Sequence, residues 1–278
     1  MVGEGMYAGS IMAKFPPVVR IETTNACNAH CAMCPHNTML RPVHIMPDDL
    51  FEKIIDECSK NRLSEIHLHN FGEPLLDANL EDRIRLVKQK CHVYTKIFTN
   101  GSLLTSDRAQ RLLNSGIDEI KISVDGSTPE EFELIRQPLK WSEVANNIKG
   151  LIRTRDLMKS RTQIYVTCCT SHSATTLIDF PVEFALGPKH NWGGQYGKKT
   201  AGKFIKCNRL WRTFTILVDG RVAQCHADVH GQCCLGNIYQ QTIEEIWHSL
   251  EYNAIRDRHI KSQQAKLALC ANCSQCRK

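Results

Sequence analysis

The segment Cys27-Asn28-Ala29-His30-Cys31-Ala32-Met33-Cys34 decides how this chain is read. Its three cysteines have C-x3-C-x2-C spacing and come directly after residues 17–23 (PVVRIET), a short β-branched run that reads as a buried strand. Three thiols on one short loop can converge on one inorganic site. A structural zinc closes its site with four ligands. Three thiolates leave a position open, as a catalytic iron–sulfur cluster needs. An incomplete zinc site, or three unrelated buried thiols, is the competing reading of the loop alone.

Outward from this loop the chain alternates strand and helix signals. Residues 47–59 open with Pro47 and two acids and carry Leu50, Ile54, Ile55 and Cys58 at helical spacing. Residues 64–69, 92–98, 117–124 and 162–169 read as strands. Thr105 caps a helix to about Asn114, ended by Gly116, and further helices are expected over 128–136 and 142–158. Such repetition predicts βαβ units and a parallel sheet. A short helix over 171–180 and a strand over 182–186 make an abbreviated sixth unit. After about 187 the pattern changes. Asn191 to Lys199 is a glycine-rich loop, with Lys198-Lys199 a solvated pair or an anion patch. Thr213–Val218 and Arg221–Gln224 flank an Asp219-Gly220 turn as a hairpin. Residues 242–258 read as one amphipathic helix with Ile243, Ile246, Trp247 and Leu250 inward. A boundary near 190 therefore separates domains 1–190 and 191–278.

The cysteine loop resembles the signature of the radical S-adenosylmethionine (SAM) enzymes, with an apolar residue before the last Cys. Further matches come in the family's order across residues 17–170. Gly72-Glu73-Pro74 resembles the Gly-Gly-Glu motif, with Phe71 in place of its first glycine. Asn100-Gly101 ends the third strand and Ser123-Val124-Asp125-Gly126 the fourth. All lie at C-terminal strand ends, where parallel barrels build their sites. The resemblance implies an α/β fold, a partial (β/α)6 TIM-like barrel. It also implies that Cys27, Cys31 and Cys34 hold a [4Fe–4S] cluster whose fourth iron binds SAM. Gly72 and Glu73 would receive the methionyl amine, and Met33 would position the adenine through its backbone. Asn100, Ser123 and Asp125 would complete the SAM site, the latter two on the ribose and sulfonium side. A turn-capping pair is the plainer reading of Ser123 and Asp125.

A second constellation sets the subclass. Cys207, Gly220, Cys225 and then Cys270-Ala271-Asn272-Cys273 are spaced as in the C-terminal SPASM/Twitch module of that superfamily. Only Cys276 follows, so the shorter Twitch form fits: a β-hairpin plus helix around one auxiliary [4Fe–4S] cluster held by Cys207, Cys225, Cys270 and Cys273. The same spacing could make a four-cysteine zinc knuckle. Cys276 is an alternative ligand to Cys270 or Cys273, while Cys233 and Cys234 are packing residues, hydrogen-atom donors or helpers of a second cluster. Cys58, Cys91, Cys168 and Cys169 read as core thiols, His67 and His69 as structural histidines, one of which could face the barrel, and Arg136 as a solvated side chain, with contact to SAM or a substrate as the alternative.

The whole chain agrees. It has 278 residues, 14 of them Cys, with 35 Lys+Arg against 29 Asp+Glu. That mild basicity lacks a nucleic-acid arm, and no apolar stretch reaches membrane-span length. The first 16 residues lack the apolar core of a secretory signal. A reducing, cytoplasmic location is expected, where clustered cysteines bind metal rather than form disulfides. Clusters of −1 and −2 would reduce the net +6 to about +3. Within the superfamily, the second spacing is similar to that of members that oxidise a cyclitol hydroxyl. The expected reaction is hydrogen abstraction from a small polar metabolite, such as a sugar or cyclitol. Oxidation would follow, with the auxiliary cluster as electron acceptor and a flavodoxin- or ferredoxin-type donor. A peptide-modifying radical enzyme and a zinc-stabilised binding protein are the alternatives.

Overall fold

Short β-branched runs form the expected strands, and amphipathic helices cross between them. The computed structural model describes residues 12–168, 177–186, 191–195 and 201–278. The first half runs β1 (Val18–Ile21), α1 (Asp48–Ser59), β2 (Glu65–His67), α2 (Leu80–Lys90), β3 (Tyr94–Thr99), α3 (Ser106–Asn114) and β4 (Glu119–Ser123). It continues through α4 (Pro129–Ile135), α5 (Trp141–Leu157), β5 (Gln163–Cys168) and β6 (Glu183–Leu186). Thr105 and Thr128 cap α3 and α4 through their hydroxyls. Strands β1 to β6 pair in parallel and in sequence order. The crossovers from β1 through β5 carry helices α1 to α5 back over one face, as parallel pairing requires. Val19, Ile21, Ile66, Ile97, Ile120 and Ile122 face those helices and are almost wholly buried. The expected α/β partial barrel is what forms.

The other face of the strands is polar. Arg20, His67 and Lys96 sit side by side in register across β1, β2 and β3. The His67 and His69 rings stack 5.5 Å apart, and Lys121 lies 5.5 Å from the rings of both Phe98 and Tyr165. Period-two alternation sends these side chains away from the helices and into the barrel.

The second half is joined to the first through one strand. β7 (Thr213–Ile216) pairs parallel to β1, with Val18 opposite Thr213. β8 (Arg221–Ala223) and β9 (Cys234–Asn237) follow antiparallel, completing a nine-stranded sheet. The expected hairpin is present, and Gly220 takes the left-handed conformation its turn needs, at φ +80°.

Three sequence expectations need correction. The helix α2 was not anticipated, although Leu80, Ile84 and Val87 mark its buried face. The single helix expected over 242–258 is two, α6 (Ile243–Trp247) and α7 (Leu250–Ile260). Ser249 separates them, its side chain accepting the Tyr252 N–H at 3.2 Å as a new N-cap. The turn moves Leu250 outward, 85% exposed, and Tyr252 takes the buried place. Cys169, the segment 171–176, Lys198-Lys199 and the expected boundary near 190 lie outside the described residues. No helix among the described residues is long and apolar enough to cross a membrane.

Candidate functional site

The cysteine loop leaves the C-terminal end of β1 and is fastened from several sides. His30 N–H donates to Gln137 O at 2.6 Å and Ala32 N–H to Ile135 O at 2.8 Å, fixing the loop to the end of α4. Cys34 N–H closes a turn on Cys31 O, and Trp192 Nε1 donates to Met33 O at 3.0 Å. The Met33 carbonyl thus already has a partner. Burial pushes the Cys27 thiol up to about 12 and Cys34 to about 11, and raises Cys31 too. Loading a metal there must release those protons.

The Gly72-Glu73 turn lies against the same loop. A Cβ on Gly72 would stand 2.1 Å from Thr24 O and 2.8 Å from Ala26 O, so only glycine allows this approach. Glu73 N–H donates to Ala26 O at 2.8 Å. The Glu73 carboxylate is buried and held by three donors. Thr99 Oγ1 (2.7 Å) and Leu75 N–H (3.1 Å) reach Oε1, and Asn100 N–H (2.7 Å) reaches Oε2. Burial still raises its pKa. Asn100 Nδ2 donates to Asn28 Oδ1 at 2.8 Å, tying the end of β3 back to the cysteine loop. Gly72, Glu73 and Asn100 are therefore together beside Cys27.

Ser123 and Asp125 close the same side at the end of β4. Asp125 is fully buried and pairs with Arg136, whose Nε lies 2.9 Å from Oδ2. Arg136 Nη1 reaches Cys31 Sγ at 3.7 Å. Arg136 is thus a buried link between Asp125 and a candidate ligand. The reading as a solvated side chain is corrected, because α4 ends by turning it inward.

The second site gathers more thiols than expected. Cys207, Cys225, Cys270, Cys273 and Cys276 line one cavity with His259. The Cys276 thiol lies within reach of the Cys207, Cys270 and Cys273 sulfurs, and its one proton, shared among them, holds those three thiols below their ordinary range and Cys276 above it. Cys225 Sγ meets His226 Nδ1 at 3.3 Å, and burial pushes its thiol up to about 12. The four expected ligands come together, with Cys276 joining them. Cys233 and Cys234 do not line the cavity; Cys234 Sγ donates to Gly231 O at 3.1 Å.

Cys276, expected as an alternative to Cys270 or Cys273, stands beside both; sequence reading missed His259 and one buried hub. Glu22, just past β1, receives Arg41 in bidentate fashion at 2.6 and 2.8 Å, and also the Val218 and Phe71 N–H groups. Arg41 follows the first cysteine loop and Val218 follows β7. One carboxylate thus joins the surroundings of both sites.

The model of the radical SAM superfamily matches residues 21–168, more than half of the chain. The chain belongs to the radical SAM superfamily. The SPASM model, an iron–sulfur cluster-binding domain, matches residues 207–277. The S-adenosyl-L-methionine-dependent 2-deoxy-scyllo-inosamine dehydrogenase of Niallia circulans is 23% identical over 95% of this chain and 94% of its own. The crystal structure of BtrN in complex with AdoMet and 2-DOIA superposes at a TM-score of 0.71, with 23% identity and coverage of 95% and 94%. Native anSMEcpe with bound AdoMet superposes at 0.64, with 17% identity and coverage of 93% and 89%. These likenesses extend the shared fold across both cysteine sites.

The cofactors of such a radical SAM enzyme are a [4Fe–4S] cluster, the SAM it binds, and an auxiliary iron–sulfur cluster in the SPASM region. The residues present fit them. Among the described residues, Cys27, Cys31 and Cys34 are not among groups whose ligand atoms all lie within 4.8 Å of one another. Around one zinc at 2.3 Å, sulfurs would lie about 3.8 Å apart, so the loop is spread for a larger group. At the second site Cys270, Cys276 and His259 do have ligand atoms within 4.8 Å of one another, but the five thiols lining the cavity exceed the four that a closed zinc site takes.

Proposed function

We propose that this enzyme oxidises a hydroxyl-bearing carbon of a small polar metabolite, a sugar or cyclitol, through hydrogen-atom abstraction. Cys27, Cys31 and Cys34 would hold the SAM-binding cluster. Glu73, aimed by Thr99 and Asn100, would take the methionyl ammonium. Cys207, Cys225, Cys270 and Cys273 would hold the auxiliary cluster, within a region 191–278 that follows a barrel of 1–190. When bound, these groups supply a 5′-deoxyadenosyl radical at the first site and one-electron acceptance at the second. Oxidising CH–OH to C=O removes one hydrogen atom, then one electron and one proton, so a second redox site within the chain suits this outcome.

The observation that carries the reading is the polar barrel face. Arg20 Nε, His67 Nδ1 and His69 Nδ1 are buried and have no hydrogen-bond partner among the described residues. Burial, reinforced by the Arg20 charge, pushes both imidazoles down, His67 to about 3, so both are neutral near pH 7. Such groups are costly unless a ligand satisfies them, and hydroxyl groups can both donate to and accept from them. The fully spanning cyclitol dehydrogenase relative supports the same class. A flavodoxin- or ferredoxin-type protein of the cytoplasm would deliver the first electron.

The test is an anaerobic turnover assay with sugars and cyclitols. Ketone and 5′-deoxyadenosine in equal amounts support the reading, with both lost in Cys31→Ala. Ketone without 5′-deoxyadenosine would sink it. Deuterium entering a peptide Cα, with no ketone from any polyol, would replace it with peptide modification.

A further inference from the structure

Two side-chain N–H groups converge on one sulfur of the second site. Gln224 Nε2 lies 3.3 Å from Cys270 Sγ, and His259 Nε2 lies 3.4 Å from it. Gln224 is 5% exposed, His259 2% and Cys270 7%, so water does not compete for these contacts. The other ring nitrogen settles the His259 tautomer. Nδ1 accepts the backbone N–H of Cys207 at 3.4 Å. A neutral imidazole has one donor and one acceptor, so Nε2 carries the proton and donates to the sulfur. His259 thereby ties the backbone of one candidate ligand to the sulfur of another. Gln224 comes from the strand side, at the end of β8, and His259 from the last turn of α7.

We propose that His259 and Gln224 raise the reduction potential of the auxiliary cluster by hydrogen-bonding the Cys270 sulfur, which poises it to accept the electron released in substrate oxidation. The proposal rests on the second site being an iron–sulfur centre and on the oxidative reading above. In the step concerned, the O–H bond of the substrate radical breaks as the C=O bond forms, its proton passes to solvent, and the cluster gains the released electron with no bond made or broken at its own atoms. A four-thiolate [4Fe–4S] cluster then goes from −2 to −3. Fixed N–H dipoles aimed at a ligand sulfur stabilise the more negative state, and hydrogen bonds to sulfur are among the levers that set such potentials. In a dry site each dipole acts more strongly than in water. Arg209 lines the same cavity and acts in the same direction. His259 and Gln224 are thus positioning residues for charge that touch neither SAM nor substrate.

The experiment is an EPR-monitored redox titration of the anaerobic holoenzyme. Saturating SAM separates the signal of the cluster it binds from that of the second site. The variants are His259→Phe, which keeps a ring against Trp211, and Gln224→Leu. Each should retain about eight iron atoms per chain. Each should lower the second-site midpoint by about 59 mV, a tenfold change in a one-electron equilibrium. His259→Gln, which restores an N–H donor, should recover part of the shift, as a merely structural role would not require. An unchanged midpoint in a fully loaded variant overturns the proposal. Where His259→Phe loses iron, Gln224→Leu decides by the same reading. A wild-type second site that holds zinc or no iron overturns the underlying cluster reading instead, and metal content shows that before any titration.

Discussion

Replacing Glu22 by Gln should loosen the surroundings of both metal sites at once. The Glu22 carboxylate is fully buried and Arg41 is 5% exposed. Besides the two Arg41 contacts, it accepts the Val218 N–H at 3.0 Å, Asn70 Nδ2 at 3.2 Å and the Phe71 N–H at 3.3 Å. Gln keeps the shape and one acceptor oxygen, but its amide NH2 faces a guanidinium that has lost its counter-charge. Removing one partner of a buried pair costs about 3–5 kcal/mol. At about 2–4 °C per kcal/mol for a chain of this size, the melting midpoint should fall by roughly 6–20 °C. Anaerobic thermal melts followed by circular dichroism would measure it, for Glu22→Gln, Arg41→Met and the double variant. Most of the cost is an uncompensated charge, so the double variant should be more stable than the additive sum of the singles. A midpoint within about 2 °C of wild type, or strictly additive losses, would refute the reasoning.

Two further outcomes follow from the same geometry. Thr99→Val removes a donor 2.7 Å from Glu73 Oε1; on the proposed role of Glu73, SAM affinity should fall roughly tenfold by equilibrium dialysis, matching about 1.4 kcal/mol for a hydrogen bond to a charged group. Stability should also fall with acid. His67 and His69 have folded pKa values below their unfolded ones, so the unfolded chain binds protons first, and stability present above pH 6.5 is lost as pH drops toward the folded values. Between pH 7 and 5.5 the loss is about 1.3 kcal/mol for each ring. A melting midpoint flat across that range would contradict their burial as neutral groups.

The sequence is most legible where function depends on local spacing. Cys27, Cys31 and Cys34 share one loop, so their convergence needs no knowledge of the fold. The parallel strands were legible because Val, Ile and Thr runs alternate with capped helices. Glu22 with Arg41 and Asp125 with Arg136 were not, because only the tertiary fold makes these pairs. Cys276 could be read only as a substitute for Cys270 or Cys273, because the spacing pattern is complete at Cys273, whereas folding seats it among three other sulfurs. Leu250 failed for a different reason. Helical periodicity carries smoothly across Ser249, and whether a serine lies mid-helix or starts a new one depends on whether its hydroxyl finds a backbone N–H. Helix α2 carries a readable signal, with acids in its first turn and lysines in its last.

The pairing of β7 with β1 has a consequence during synthesis. Glu22, at the end of β1, meets Val218, which lies 196 residues later in the chain. At about 5–20 residues per second, the ribosome needs roughly 10–40 s to make that stretch. One edge of β1 stays unpaired for all of this time, while the other finds β2 within the first 67 residues. An open strand edge is a template for the wrong neighbour. It adjoins a loop of three cysteines that oxidise readily when exposed. The most vulnerable interval for this enzyme is therefore its own translation, and slower elongation between the two halves should lower the yield of chain able to take up iron at either site.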